Sequence, residues 1–93
     1  VPMLSFKTFD EVIERANNHE LGLSSYICTN SMDKAHKASE LMETGTVAVN
    51  TPLVALAEAP FGGIKQAGYG REGGSMAIKD YLNVKYTHLG LKG

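Results

Sequence analysis

A glycine-rich run at residues 59–74 restricts the fold of this chain more than any other feature. It contains six glycines in sixteen residues, together with one proline and one phenylalanine. Glycine is favoured where the backbone has a positive φ or approaches another group closely, and it destabilises helices and strands elsewhere. We therefore expect this run to form an irregular loop built for a specific tertiary contact.

The residues before this loop alternate between strand and helix patterns. Apolar runs predict strands at residues 3–7, 23–29 and 46–49. The crossovers between these strands are about a dozen residues or longer, which favours parallel pairing. The prediction is an α/β fold whose core is a βαβαβ parallel sheet.

Two amphipathic helices connect the predicted strands. Thr8 stands three residues before Glu11, the spacing of a capping box, and Ser31 is a suitable N-cap for the second helix. Gly45 is expected to end that helix. The first helix has one apolar face, formed by Phe9, Val12, Ile13 and Ala16, and the stripe expected to be buried in the second helix is Ala35, Ala38, Leu41 and Met42.

Shorter elements are expected after the third strand. Residues 51–60 are apolar but bracketed by prolines, which predicts a buried loop of the kind that lines pockets. A short helix is expected near residues 75–81. Residues 82–89 alternate with period two, which predicts a terminal strand. Because an unpaired strand edge tends to associate, this strand is expected to pair with another chain.

The composition excludes several classes of protein. The net charge is −1, and 43% of the residues are hydrophobic. These values predict a globular domain without a nucleic-acid surface or a charged membrane anchor. No apolar run approaches the roughly 20 residues of a membrane span. The N-terminus also lacks a signal-peptide pattern, so the expected location is cytoplasmic.

Few residues suggest chemistry by themselves. The run Gly68-Tyr69-Gly70-Arg71-Glu72-Gly73 matches the dinucleotide motif G-x-G-x-x-G, but no strand is expected before it. Cys28 is the single cysteine, and its apolar neighbours predict a buried core residue rather than a nucleophile. The three histidines lack metal-ligand spacing, so no metal site is predicted.

Three residues of the glycine-rich run have open interpretations. Arg71 and Glu72 could bind a ligand anion or anchor the loop internally, by an ion pair or backbone contacts, and internal anchoring is favoured. Phe61 is held between a proline and two glycines. Its ring could wall a ligand cavity as readily as pack in a core.

The run from Pro60 to Glu72 resembles the PFGGxKxSGxGRE signature of the NAD(P)-dependent aldehyde dehydrogenases. Further blocks are similar to this family in the same order, at residues 9–17, 21–26, 45–50 and 78–86. The last block resembles the succinate-semialdehyde dehydrogenase branch. The resemblance covers essentially the whole chain and implies the C-terminal fifth of a longer subunit. The start at Val1, without an initiator methionine, agrees with that expectation.

The resemblance implies an enzyme that oxidises a small aldehyde, with succinate semialdehyde a candidate, to the carboxylic acid with NAD or NADP. In this family a cysteine thiolate forms a thiohemiacetal, hydride passes to the nicotinamide, and the resulting thioester is hydrolysed. The catalytic cysteine, the catalytic glutamate and the cofactor domain are implied to lie outside this segment. No catalytic or cofactor-binding residue is therefore expected here, and the segment alone is expected to be inactive.

The resemblance also implies roles for parts of this chain. Residues 1–74 would complete the catalytic domain, and residues 75–93 would supply a short helix and an oligomerisation strand. The implied substrate-tunnel residues are Leu53, Ala55 and Phe61. The implied oligomerisation residues are Leu82, Val84, Tyr86 and His88. The expected partners are the remainder of the same subunit, further copies in a dimer or tetramer, and the small aldehyde.

Departures from the family pattern limit the substrate assignment. Ala55 replaces a serine that helps the succinate-semialdehyde branch to hold the substrate carboxylate, which removes a hydrogen bond worth about 1.5–3 kcal/mol. Ala67 replaces the signature serine, and Met76-Ala77 replaces an aromatic–glycine pair. Two other functions stay open: an interaction module that pairs through its terminal strand, and a small nucleotide-binding domain that uses the glycine-rich run.

Overall fold

The computed structural model describes residues 1–92, so Gly93, the last residue of the predicted 75–93 segment, lies outside the described residues. The described part contains the α-helices α1 (Phe9–Asn17) and α2 (Met32–Leu41) and the 3₁₀-helix Ala77–Tyr81. Its strands are β1 (Leu21–Gly22), β2 (Ser24–Ile27), β3 (Thr46–Val49) and β4 (Ile64–Lys65). No helix within residues 1–92 has the length and apolar character needed to cross a membrane.

The strands form two separate two-stranded sheets. β2 and β3 pair in parallel, from Ser24 opposite Thr46 to Ile27 opposite Val49, and α2 is the crossover between them. β1 and β4 form a short antiparallel pair. The α/β class and one βαβ unit are therefore as predicted, whereas the predicted βαβαβ sheet is wrong.

Two predicted strands do not form in the described chain. Residues 1–6 and 82–92 have no regular secondary structure, although strands were expected at residues 3–7 and 82–89. A strand requires a neighbour to accept and donate its backbone hydrogen bonds. Neither segment has such a neighbour among the described residues. The predicted short helix near residues 75–81 does form, as a 3₁₀-helix.

The predicted N-caps of both helices are confirmed. The Thr8 hydroxyl accepts the Glu11 N–H at 3.1 Å, and the Ser31 hydroxyl accepts the Lys34 N–H at 3.3 Å. The Glu11 carboxylate reaches one residue beyond the cap and accepts the Lys7 N–H at 2.9 Å. That backbone hydrogen bond is the main reason that the pKa of Glu11 lies below its ordinary value.

Little of the described chain is buried. Its buried hydrophobic residues are Ala38 and Ala48, with 3% and 5% of their surface exposed. The accessible surface is 8188 Å², whereas a compact monomer of this mass exposes about 5,200 Å². The radius of gyration is 19.1 Å, against about 12 Å for a compact domain of this length. Much apolar surface therefore has no cover within this chain.

Three predictions of burial are wrong for the same reason. Residues 51–60 were expected to be buried, yet Leu53 and Leu56 are 73% and 61% exposed. Cys28 is exposed instead of lying in the core. Leu41, in the predicted buried stripe of α2, is 50% exposed. An apolar pattern identifies the face to be covered, but burial also needs a second layer, which no described element supplies at these positions.

Candidate functional site

The glycine-rich run folds into a loop that closes through a β-bridge. Phe61 and Glu72 exchange both backbone N–H···O hydrogen bonds, each 2.7 Å long. The Gly74 N–H donates to the Ala57 carbonyl at 2.8 Å and so ties residues 51–60 to the same neck. The expected irregular loop is confirmed, and Phe61 is fixed where the loop closes.

The glycines of this region serve the two purposes expected of them. Gly70 has a φ of 88°, and a Cβ there would also lie 2.8 Å from the Asp80 carboxylate. A Cβ on Gly45 would overlap the Gly62 carbonyl, so these two backbones pack without a side chain between them. The prediction that Gly45 ends α2 is wrong, because Met42 is the C-cap and the glycine is needed for this close approach.

Arg71 anchors the loop from inside. Its Nη1 donates to the carbonyls of Gly63 at 2.9 Å and Gly70 at 2.8 Å. Its backbone N–H donates to the Asp80 carboxylate at 2.9 Å, which joins the loop to the 3₁₀-helix. Internal anchoring through backbone contacts, the favoured interpretation of Arg71, is confirmed.

An open cavity of about 320 Å³ lies between the loop and the 3₁₀-helix. The rings of Phe61 and Tyr69 line it together with the polar side chain of Arg71. Of the three predicted substrate residues, Phe61 lines this cavity. Leu53 and Ala55 are exposed and do not line it. Their joint role in a substrate tunnel stays a prediction.

The predicted oligomerisation residues Leu82, Val84, Tyr86 and His88 all lie in the exposed terminal segment. Val84 is 102% exposed and Tyr86 84%. The rings of Tyr86 and His88 meet edge to face, with their centroids 6.4 Å apart. Pairing of this segment with another copy of the chain stays a prediction.

Lys65 is the residue of the loop that sequence reasoning missed. Its Nζ donates to the carbonyls of Asn17 at 3.0 Å and His19 at 3.2 Å, and to the Glu43 carboxylate at 3.0 Å. Its backbone φ is 55°, which is uncommon for a residue other than glycine. The only signal in the sequence is a lysine inside a run otherwise rich in glycine.

The motif from Gly68 to Gly73 does not have the geometry of a dinucleotide site. Such a site places a tight glycine turn between a strand and a helix, with the helix N-terminus facing the phosphates. Here the motif leads into a β-bridge and a five-residue 3₁₀-helix, and the Asp80 carboxylate faces Gly70. These residues do not fit NAD(P). Within residues 1–92, no cluster of three or more His, Cys, Asp or Glu residues could hold a metal ion.

Comparison with known proteins gives one consistent result. The model of the aldehyde dehydrogenase family matches residues 1–87. The 3-sulfolactaldehyde dehydrogenase of Pseudomonas putida is 47% identical over 89 residues, which are 96% of this chain and 18% of that protein. The mitochondrial succinate-semialdehyde dehydrogenase of Arabidopsis thaliana is 44% identical over 89 residues, or 96% of this chain and 17% of that protein.

The same likeness holds for solved structures. An aldehyde dehydrogenase from Bacillus cereus, in complex with NAD+, matches with a TM-score of 0.85 and 44% sequence identity. The match covers 88% of this chain and 17% of that one. The chain thus spans 16–19% of the length of the curated relatives that it matches.

Proposed function

The chain belongs to the aldehyde dehydrogenase family, and from that membership we propose that it is the C-terminal segment of an NAD(P)-dependent enzyme that oxidises a small aldehyde to its acid. The observation that carries the proposal is the family match over residues 1–87 in a chain much shorter than its relatives. The large exposed surface supports it, because the remainder of the subunit would cover the apolar groups left open here.

The proposal assigns no catalytic residue to this chain. The residues around Gly68 and Gly73 do not fit NAD(P), so cofactor binding is assigned to the part of the subunit outside this segment. Cys28 is not assigned as the nucleophile, because its sequence neighbours do not resemble the family's cysteine motif. This chain would instead complete the substrate cavity and provide an assembly surface.

We assign Leu53, Ala55 and Phe61 to the wall of the substrate cavity. The backbone bridge to Glu72 holds Phe61 in place, which is what a ring needs to discriminate between aldehydes by shape. The hydrogen bond from Gly74 to Ala57 ties residues 51–60 to the same neck. This hydrogen bond keeps residues 51–60 close to Phe61. It therefore supports one cavity wall made of both, once the rest of the subunit covers them.

The proposed substrate is a small aldehyde with an anionic group at its far end. The two relatives above are named for 3-sulfolactaldehyde and succinate semialdehyde, which carry a sulfonate and a carboxylate. Ala55 cannot donate the hydroxyl hydrogen bond that serine would give to a carboxylate. Succinate semialdehyde is therefore one candidate among small anionic aldehydes.

We also propose that the terminal segment joins complete subunits into a dimer or tetramer. Residues 1–74 would then belong to the catalytic domain, and residues 75–93 to the assembly surface. The exposure of Val84 and Tyr86 supports this role, since apolar groups in water gain free energy when another chain covers them.

The test is aldehyde oxidation by the complete enzyme that contains this chain. Succinate semialdehyde, 3-sulfolactaldehyde and the uncharged butanal are each assayed with NAD and with NADP. Phe61→Ala is expected to change the order of kcat/KM among the aldehydes while the KM for the cofactor stays within about twofold. An unchanged order would remove Phe61 from the cavity wall. No cofactor reduction with any aldehyde would overturn the proposed reaction.

A further inference from the structure

We propose that Lys65 is a positioning residue that holds Phe61 in place at the substrate cavity, a role that rests on the proposed function. The carbonyls of Asn17 and His19 and the carboxylate of Glu43 lie within 3.2 Å of its Nζ. An ammonium group has three N–H donors, so each donor meets one of these oxygens. We call these four residues the Lys65 clamp.

The clamp joins the glycine-rich loop to the ends of both α-helices. Asn17 is the last residue of α1, and the C-terminus of a helix carries partial negative charge that favours a nearby cation. The Asn17 side chain also donates to the Leu41 carbonyl, at the end of α2, and accepts the Glu43 N–H, both at 2.8 Å. One lysine therefore fixes the loop against two helix ends.

The backbone around Lys65 needs this support. The positive φ of 55° is unfavourable for a lysine and persists only where surrounding contacts impose it. β4 pairs with β1 through only two residue pairs, Leu21 with Lys65 and Gly22 with Ile64. Such a short ladder is weak by itself. Beside the ladder, the Gln66 N–H donates to the Glu20 carbonyl at 2.9 Å, and the side-chain clamp adds the contacts that hold the register of β4 on β1.

The backbone between Lys65 and Phe61 packs closely against β1, which links the register of Lys65 to the position of Phe61. Phe61 lies four residues earlier, and the intervening Gly63 packs so closely that a Cβ there would lie 3.3 Å from the Gly22 carbonyl. The same stretch ends at the Phe61–Glu72 bridge. A shift at Lys65 therefore moves the ring. A misplacement of about 1 Å can lower enzyme activity roughly 100-fold.

The experiment compares Lys65→Met with Lys37→Met in the complete enzyme. Methionine keeps the length of the lysine stem but removes its charge and donors. Lys37 is exposed on α2 and makes no side-chain hydrogen bond or ion pair within residues 1–92. Lys65→Met is expected to lower kcat/KM for the best aldehyde about tenfold or more and to change the aldehyde order, with the cofactor KM unchanged. Lys37→Met should match the wild type.

Amide hydrogen exchange provides a readout that does not depend on activity. Lys65→Met is expected to speed exchange in peptides that contain Phe61 and Gln66, whose N–H groups bond to Glu72 and Glu20. If Lys65→Met does not fold, Glu43→Gln is used, because it keeps an acceptor for Lys65 but loses the charge. A smaller change in the same direction is then expected.

The outcomes separate the proposals. Amide exchange that stays normal in Lys65→Met overturns the positioning role. A lower kcat with an unchanged aldehyde order also overturns it, because a simple loss of stability lowers activity without altering specificity. A wild-type enzyme that oxidises no aldehyde overturns the proposed function and the kinetic role of Lys65 together. In that case the exchange measurement still decides whether the clamp holds the loop.

Discussion

Asn50 pairs with Thr29 through its side chain much as two neighbouring strand residues pair through their backbones. The Asn50 Oδ1 accepts the Thr29 N–H at 3.0 Å, and its Nδ2 donates to the Thr29 carbonyl at 2.9 Å. The Asn50 N–H also donates to the Ile27 carbonyl at 2.8 Å. The side chain thereby extends the β2–β3 ladder one step past its last residue pair.

Loss of this pairing is expected to weaken the βαβ unit. Asn50→Ala removes both side-chain hydrogen bonds and leaves the backbone at its unfavourable φ of 56°. We expect a loss of about 1–3 kcal/mol, measured as faster amide exchange at Thr29 and a lower thermal midpoint of the complete enzyme. The control is Asn30→Ala, at an exposed position nearby. Equal effects of the two variants would contradict the prediction.

Glu11 is expected to link the stability of α1 to pH. The Lys7 N–H is the main group that lowers the pKa of Glu11 below its ordinary value of 4.5. Because the folded pKa is below the unfolded one, the carboxylate stabilises α1 fully above about pH 4.5, and this contribution is lost as the pH falls through the lowered pKa. Glu11→Gln should speed amide exchange in α1 at neutral pH and remove this dependence.

The matched control for Glu11 is Glu14→Gln, also exposed on α1. Its side chain makes no hydrogen bond within residues 1–92, so we expect α1 to keep the acid dependence of the wild type. The measurement is amide exchange in α1 across the acid range, with each variant referenced to its own neutral-pH rate. If Glu11→Gln keeps the wild-type dependence of exchange on pH, the Glu11 carboxylate is not the source of the acid dependence.

Gly45→Ala is expected to be the most damaging single-methyl change. Its Cβ would overlap the Gly62 carbonyl, and backbone on both sides must move to make room. Overpacking of this kind costs about 1–3 kcal/mol or more. Gly90→Ala is the control, because nothing lies within 4 Å of a Cβ built there. The measurements are the thermal midpoint and the soluble yield of the complete enzyme. A Gly45→Ala enzyme as stable as the Gly90→Ala enzyme would refute the close contact between Gly45 and Gly62.

Ala55→Ser is expected to favour succinate semialdehyde. A serine hydroxyl at this position would restore a hydrogen bond to the substrate carboxylate worth about 1.5–3 kcal/mol. The ratio of kcat/KM for succinate semialdehyde to that for butanal should rise about tenfold or more. Ala57→Ser adds the same hydroxyl two residues further on and should leave the ratio unchanged. The prediction fails if both variants shift the ratio alike.

Val84→Pro is expected to weaken assembly of the complete enzyme. Proline lacks the N–H that a paired strand needs, so one inter-chain hydrogen bond is lost and its neighbours are strained. We expect association roughly tenfold weaker, measured from the mass distribution in solution as the protein is diluted. Leu91→Pro lies in the same assembly segment but beyond the predicted strand, so it is the comparison and is expected to have a smaller effect. An unchanged distribution for Val84→Pro would place the interface elsewhere.

Local features of this fold could be predicted from the sequence. The caps at Thr8 and Ser31 depend on residues three positions apart, and the Thr46–Val49 strand on its own apolar run. The β1–β4 pair was missed because its two short strands lie far apart in the chain and neither has a pattern of its own. The strand expected at residues 3–7 was predicted from a local pattern, but its formation depends on a neighbour.

The candidate site was predictable only in part. The irregular loop and the internal anchoring by Arg71 followed from glycine content and from a charge placed among glycines. Lys65 was missed because two of its three acceptors, the Asn17 and His19 carbonyls, belong to the backbone and carry no signal in the sequence. The exposure of Leu53 and Cys28 depends on which layers cover them, and the sequence of this segment does not contain those layers.

The Lys65 clamp also imposes an order of events while the chain is being synthesised. The βαβ unit is complete once β3 has emerged, and its contacts are close in sequence, so it can fold early. The contact between the Asn17 carbonyl and Lys65, 48 residues later, forms last, and closing the loop between them is entropically unfavourable. Until the glycine-rich loop emerges from the ribosome, the Asn17 carbonyl has only the local His19 N–H as its protein donor. Until Lys65 is in place, that end of α1 is held less firmly and is more open to proteases and chaperones.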